Sequence, residues 1–158
     1  MLGRDIFPAA PDPPMPPQFQ SPEVSAFATA IFFILRDYGL TVLLLLLGVV
    51  SYGLLSPHKD IEHIREGNTA AALSYGAVVL GLAIPLAAQM APSTSPVDII
   101  IYGVAAIAIQ LLVFRLVIDI LLLRGLPQRV QEGDIGAAVV LAAAKLATSL
   151  IFAAALAG

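Results

Sequence analysis

"IREGNTAAA", Ile64 to Ala72, and "VQEGDIGAA", Val130 to Ala138, stand sixty-six residues apart in one chain. Each is a charged, glycine-centred phrase placed just before a long apolar run. Gly67 and Gly133 suit the left-handed position that stops a helix, because glycine has no Cβ to clash there. Asn68 and Asp134, which follow them, are good N-caps for a helix starting at the next residue. The phrase reads as a helix–break–helix joint, and it is written twice.

Sliding the chain against itself by the same interval extends the match. Glu66 meets Glu132, Ala71 and Ala72 meet Ala137 and Ala138, Ala77 meets Ala143, and Leu80 meets Leu146. The apolar segments before the joints also superpose without a gap. This pattern predicts a tandem duplication of a two-helix hairpin. Two spans per unit is an even number, so both copies insert the same way up, as a parallel repeat about an axis along the membrane normal.

A membrane is required by composition. The chain has 158 residues, 59% hydrophobic and only 12% charged, with a mean hydropathy of +0.92. Soluble domains sit near 45–50% apolar and about 25% charged, and a core of this size cannot absorb the excess. The fold class is an all-α integral membrane protein with four transmembrane helices. The apolar segments are Tyr38 to Leu55, Ala70 to Met90, Val97 to Leu123 and Gly136 to Ala157. Each is long enough for a hydrocarbon core of about 30 Å at about 1.5 Å per residue. The first hairpin repeat covers residues 38–90 and the second covers residues 97–157.

Two segments precede the repeats. Residues 1–25 hold seven of the twelve prolines and read as an extended, proline-rich arm. Within residues 26–37, "AFATAIFFIL" is too short to span and is followed by Arg36 and Asp37, which predicts a separate interfacial helix, the preferred reading, or a long extension of the first span.

Basic residues set the orientation. Lys59 and Arg65 follow the first span, Arg124 and Arg129 follow the third, and "APSTSP" between the second and third has none. The joints are expected in the cytoplasm and both termini in the periplasm.

Three charges fall inside the spans. They are Arg115 and Asp119 in the third and Lys145 in the fourth. Intramembrane charges are costly and mark function or pairing. Arg115 and Asp119 are four apart and share a face. Asp119 lies about 6 Å from the cytoplasmic end, Arg115 about 12 Å and Lys145 about 15 Å. Asp119 is expected within reach of Arg115 or Lys145, as a structural ion pair, as a polar vestibule, or facing a partner subunit. At the joints, Glu66, Asn68, Glu132 and Asp134 serve as punctuation, or gather around the pseudo-axis to meet a cation or a partner.

The joints within "HIREGNTAAALSYGAVVLGLAIPLAA" and "RVQEGDIGAAVVLAAA", with the duplicated hairpin, resemble the small YjfL-like bacterial inner-membrane family known as domain of unknown function 350. The likeness covers about Gly39 to Gly158. It implies a four-span protein of the bacterial inner membrane and implies no activity.

Several function classes are excluded or disfavoured. The net charge of −3 and the lack of a basic stripe argue against nucleic acid. There is no cysteine, hence no thiol chemistry. No nucleophile is paired with a base, no glycine loop cradles phosphate, and no spacing suits a metal. A non-enzymatic protein without cofactor or metal is predicted. Its partners are the lipid bilayer and other membrane subunits or further copies of itself. Two roles fit: an accessory or structural subunit of a membrane assembly, or a homo-oligomeric ion or polycation conduit.

Overall fold

The computed structural model describes residues 22–56, 60–93, 95–122 and 124–157, and all elements among them are helical. Residues 1–21 of the proline-rich arm lie outside the described residues, as do His58 and Lys59. Packing divides the chain into two units, Met1–Leu35 and Arg36–Gly158.

The first helix, α1, runs Pro22–Leu55. Its start at Pro22 takes the last residues assigned to the arm into the helix, since proline is tolerated in a first turn where its missing N–H is not needed. The separate interfacial helix expected at residues 26–37 is not seen, because α1 continues through Arg36 and Asp37. Those two side chains pair with each other at 2.8 Å. Charge alone does not break a helix, and no proline interrupts the segment. In the first unit the described residues expose Phe27, Phe32, Phe33 and Ile34.

In the second unit, α1 is followed by α2 (Asp60–Arg65), α3 (Thr69–Met90) and α4 (Pro96–Leu112). A π-helical segment, Val113–Leu122, continues from α4. Then come α5 (Leu126–Gln131) and α6 (Ile135–Ala157). Among the described residues, four helices are long and apolar enough to cross a membrane: Glu23–Leu55, Thr69–Met90, Pro96–Leu116 and Ile135–Ala157.

The third span departs from the expected uninterrupted α-helix. After Leu112 the turns widen, and Arg115 and Asp119 lie on the wider part. A π-turn moves every later side chain around the axis relative to an α-turn. Here Phe114 and Ile118 point inward, at 0% and 1% exposure.

The core is built on α3 against α6. Ala71, Ala77, Val78 and Gly81 of α3 are buried, as are Ala137, Ala138 and Ala142 of α6. Small side chains let two backbones approach, and dispersion then holds them without help from the hydrophobic effect. A Cβ on Gly81 would lie 2.6 Å from the Phe114 ring and 2.8 Å from the Ser149 hydroxyl, so glycine leaves room for both. Gly103 of α4 makes the same allowance for Leu44 of α1, whose Cδ1 would lie 2.6 Å from a Cβ there. Pro85 sits inside α3 and is buried.

Both joints close α2 and α5 with one hydrogen-bond pattern. The N–H of Gly67 donates to the carbonyl of Ile64 at 3.0 Å and that of Asn68 to His63 at 2.9 Å. The N–H of Gly133 donates to Val130 at 3.1 Å and that of Asp134 to Arg129 at 3.0 Å. This is the Schellman closure, with the glycine in the left-handed region. Gly67 and Gly133 have the same φ, 89°.

Candidate functional site

Asn68 and Asp134 then cap the next helices. The Asn68 side-chain oxygen accepts from the N–H of Ala71 at 3.0 Å, and Asp134 accepts from the N–H of Ala137 at 3.1 Å. Each takes one of the first N–H groups that a helix cannot satisfy itself. The joints also touch. The Asn68 amide donates to the carbonyls of Val130 at 3.2 Å and Gln131 at 2.8 Å. An aspartate cannot donate, so Asp134 makes no reciprocal bond and instead pairs with Arg129. The Asp134 carboxyl is held below the usual carboxylate range, first by the Ala137 N–H and then by the Arg129 guanidinium.

Glu66 lies 3.3 Å from the His63 ring, and Glu132 is exposed. Of the four joint residues proposed to gather around an axis, only Asn68 reaches across to the other joint. Among the described residues no three acidic or histidine side chains come close enough to hold a metal ion.

The intramembrane charges do converge. Lys145 of α6 is fully buried. Its ammonium donates to the Tyr52 hydroxyl of α1 at 2.9 Å and lies 3.6 Å from an Asp119 carboxylate oxygen. The second distance is an ion pair without a direct hydrogen bond, which agrees with that oxygen having no hydrogen-bond partner. The other Asp119 oxygen lies 3.8 Å from Arg115. Arg115 is about one-third exposed at its side chain, whereas Asp119 is buried. The ammonium is also 5.0 Å from the centroid of the Tyr52 ring and 5.9 Å from that of Phe114. Aromatic faces attract a desolvated cation. Side chains from α1 and from the π-helical segment thus surround one charge on α6.

A second polar pair continues the cluster. The Gln110 amide donates to the Ser149 hydroxyl at 2.8 Å, and that hydroxyl donates to the Lys145 carbonyl at 2.7 Å. Both side chains are buried. On the joint side, Tyr52, Asp60, Ser74, Asp119 and Lys145 line a cavity of ≈ 10 Å³. That is close to the smallest space that holds one water.

Tyr52, Gln110 and Asp60 escaped the reading of the sequence. Charges in the spans stand out because they are rare, whereas an amide or a phenol costs less in an apolar window and carries a weaker signal. A search for any hydrogen-bonding group within the apolar windows would have found Tyr52 and Gln110. Asp60 lies just outside such a window, in the first turn of α2.

The model of the family described as "Domain of Unknown Function (DUF350)" matches residues 24–156. The chain belongs to that family. It is also similar to "UPF0719 inner membrane protein YjfL" of Escherichia coli (strain K12) and to the protein of that name in Escherichia coli O157:H7. Each is 35% identical over 86 residues, covering 54% of this chain and 61% of the relative. The chain thus spans about 61% of the length of the curated relatives it matches. No solved structure matches. The four apolar helices and these relatives make this a multi-pass inner-membrane protein.

Proposed function

We propose that the protein is a small non-enzymatic inner-membrane subunit, accessory or structural in a larger membrane assembly. Its Asp119–Lys145–Tyr52 cluster locks its own spans together and leaves the outer helix faces for lipid and for neighbouring chains. One observation supports this reading: the Lys145 ammonium is buried among the Tyr52 hydroxyl, the Asp119 carboxylate and the rings of Tyr52 and Phe114. A charge that is enclosed internally is not waiting for a partner subunit. The small cavity beside it favours a packed element over a water-filled pore.

The two halves are read as copies of one hairpin, inserted in parallel. The identical closures at Gly67 and Gly133 support this reading. The joints belong in the cytoplasm and both termini in the periplasm, which rests on the basic residues beside the joints. In this reading the repeat has diverged where it matters, because Arg115, Asp119 and Lys145 correspond to Val49, Gly53 and Val79.

A second reading, a homo-oligomeric conduit for an ion or polycation, is favoured by one specific feature. Asp60 and Asp119 line the same small cavity as Lys145, next to a π-helical segment, and π-turns are frequent at functional sites. Gentle extraction from the native membrane separates the readings. A subunit brings unlike membrane chains with it in fixed ratio. Recovery of a ring of identical chains that passes ions in vesicles would overturn the first reading and support the second.

A further inference from the structure

Where α1 and α4 lie side by side, an open-sided groove of ≈ 220 Å³ is lined by Leu47, Ser51, Val104, Ile107, Ala108 and Leu111. The two helices run in the same direction, since Gly103 faces Leu44 and Gly48 faces Ile107. The hydroxyl in the wall, that of Ser51, donates to the Leu47 carbonyl of its own helix at 2.7 Å. The groove therefore presents apolar surface. Its volume is small beside a helix, which measures about 10–12 Å across with its side chains, and suits a single alkyl chain.

One end of this groove is charged. Val104, Ala108 and Leu111 follow at spacings of four and three, which keeps them on one face of α4. Four residues further along that line stands Arg115. The wider turns begin only at Val113, so Arg115 is still close to the same face. It is also the second-last residue of the span Pro96–Leu116, where a hydrocarbon core gives way to headgroups.

The Arg115 side chain is 30% exposed. The Asp119 carboxylate lies 3.8 Å from it, and the other oxygen of that carboxylate lies 3.6 Å from Lys145. Lys145 and Arg129 each donate a hydrogen bond, to Tyr52 and to Asp134. Among the described residues the Arg115 guanidinium donates none. A guanidinium carries five N–H donors in a planar fork that fits the oxygens of a phosphate. Left without an acceptor beside lipid, it is costly. We propose that the groove seats one membrane phospholipid, with an acyl chain along Val104, Ala108 and Leu111 and the phosphate accepting from the Arg115 guanidinium. A phospholipid brings both halves of the match, an alkyl chain for the hydrocarbon core and an anionic acceptor at its edge. The site stands whether the protein is a subunit or a conduit.

The test uses the full chain, extracted gently and then freed of lipid in detergent. It is titrated with phosphatidylglycerol and followed by native mass spectrometry, with melting temperature as a second readout. Diacylglycerol and inorganic phosphate are the control probes. Saturable binding of a first phospholipid, ahead of any others, is expected, with much weaker binding of diacylglycerol and no response to phosphate at the same concentration. Arg115→Gln is expected to weaken that first binding about tenfold or more, and Arg115→Lys to restore part of it. Ala108→Phe fills the groove from an exposed position. It is expected to weaken binding by a similar factor with Arg115 intact, and it serves alone should Arg115→Gln fail to fold. No saturable binding, unchanged affinity in the folded variants, or equal binding of diacylglycerol would overturn the proposal. An equal response to inorganic phosphate would reduce the site to Arg115 and a free anion, and overturn it as well. So would loss of a co-purifying protein chain on Ala108→Phe with phospholipid binding unchanged, which would assign this face to a partner.

Discussion

Lys145 shows how one residue can tie distant stretches of sequence together. Its side-chain nitrogen is out of water and meets a hydroxyl, a carboxylate and two aromatic faces. Tyr52→Phe removes one hydrogen bond to a charged group while leaving the ring in place. It is expected to cost about 1.5–3 kcal/mol, read from the unfolding of the purified protein in detergent. No loss on that substitution would mean that the ammonium finds water instead. A different titration belongs to Asp134, at the membrane surface. Its folded-state carboxyl sits below the usual range because the Ala137 N–H and Arg129 favour the charged form. The stability it contributes is complete above the ordinary carboxylate range and is lost as pH falls through that range toward the lower folded-state value. Asp134→Asn keeps a capping oxygen and removes the titration. The melting temperature of the variant should therefore fall less than that of the parent between about pH 6 and about pH 3. Equal falls would show that the depressed carboxyl is not coupled to folding. Both capping residues were legible in the sequence because a cap is local chemistry. The partners of Lys145 were legible only on the third span. Tyr52 comes from a helix far away in sequence, and a periodicity does not reveal which face it shares.

Among the elements, the joints and the third span teach opposite lessons. The glycine joints were readable because a positive φ excludes most side chains and so writes itself into the sequence. Gly67→Val and Gly133→Val should each destabilise the fold by about 1–3 kcal/mol and lower the yield of folded protein. Normal yield and melting temperature for both would remove the requirement for the left-handed turn. The widening of the third span beyond Leu112 was not readable. "VFRLVIDILL" is apolar enough for either helix type, and its Phe114 ring is buried beside Gly81 of α3. Gly81 is the counterpart of that ring, and Gly81→Ala places a methyl at 2.6 Å from it. Overpacking of this kind costs about 1–3 kcal/mol. A compensating Phe114→Leu should return part of the loss in the same unfolding assay, and no recovery would show that the clash lies elsewhere. The first span shows a third case. Arg36 and Asp37 looked like a boundary because charges end a membrane segment, yet they neutralise each other at 2.8 Å and leave the helix intact.

At the scale of the whole molecule, hydropathy alone was enough for the four spans, because crossing a bilayer dictates length and composition together. Orientation rests on few basic residues, and it has a direct check. Reporter fusions at Ser93 should read outside and at Gly125 inside, and the reverse pattern would invert the topology. How the spans hold together is the central claim. A buried cation on α6 is closed by a carboxylate from the π-helical segment and a hydroxyl from α1, within one chain. The double-mutant cycle of Asp119→Ala and Lys145→Ala, measured as unfolding free energy in detergent, tests this most directly. Asp119→Ala alone should cost about 3–5 kcal/mol, since it strands the ammonium. The double variant should lose less than the two single losses added together, a coupling of about 0.5–3 kcal/mol. Asp119→Ala with unchanged stability and no coupling to Lys145 would contradict the account, showing the cluster to be solvated rather than closed.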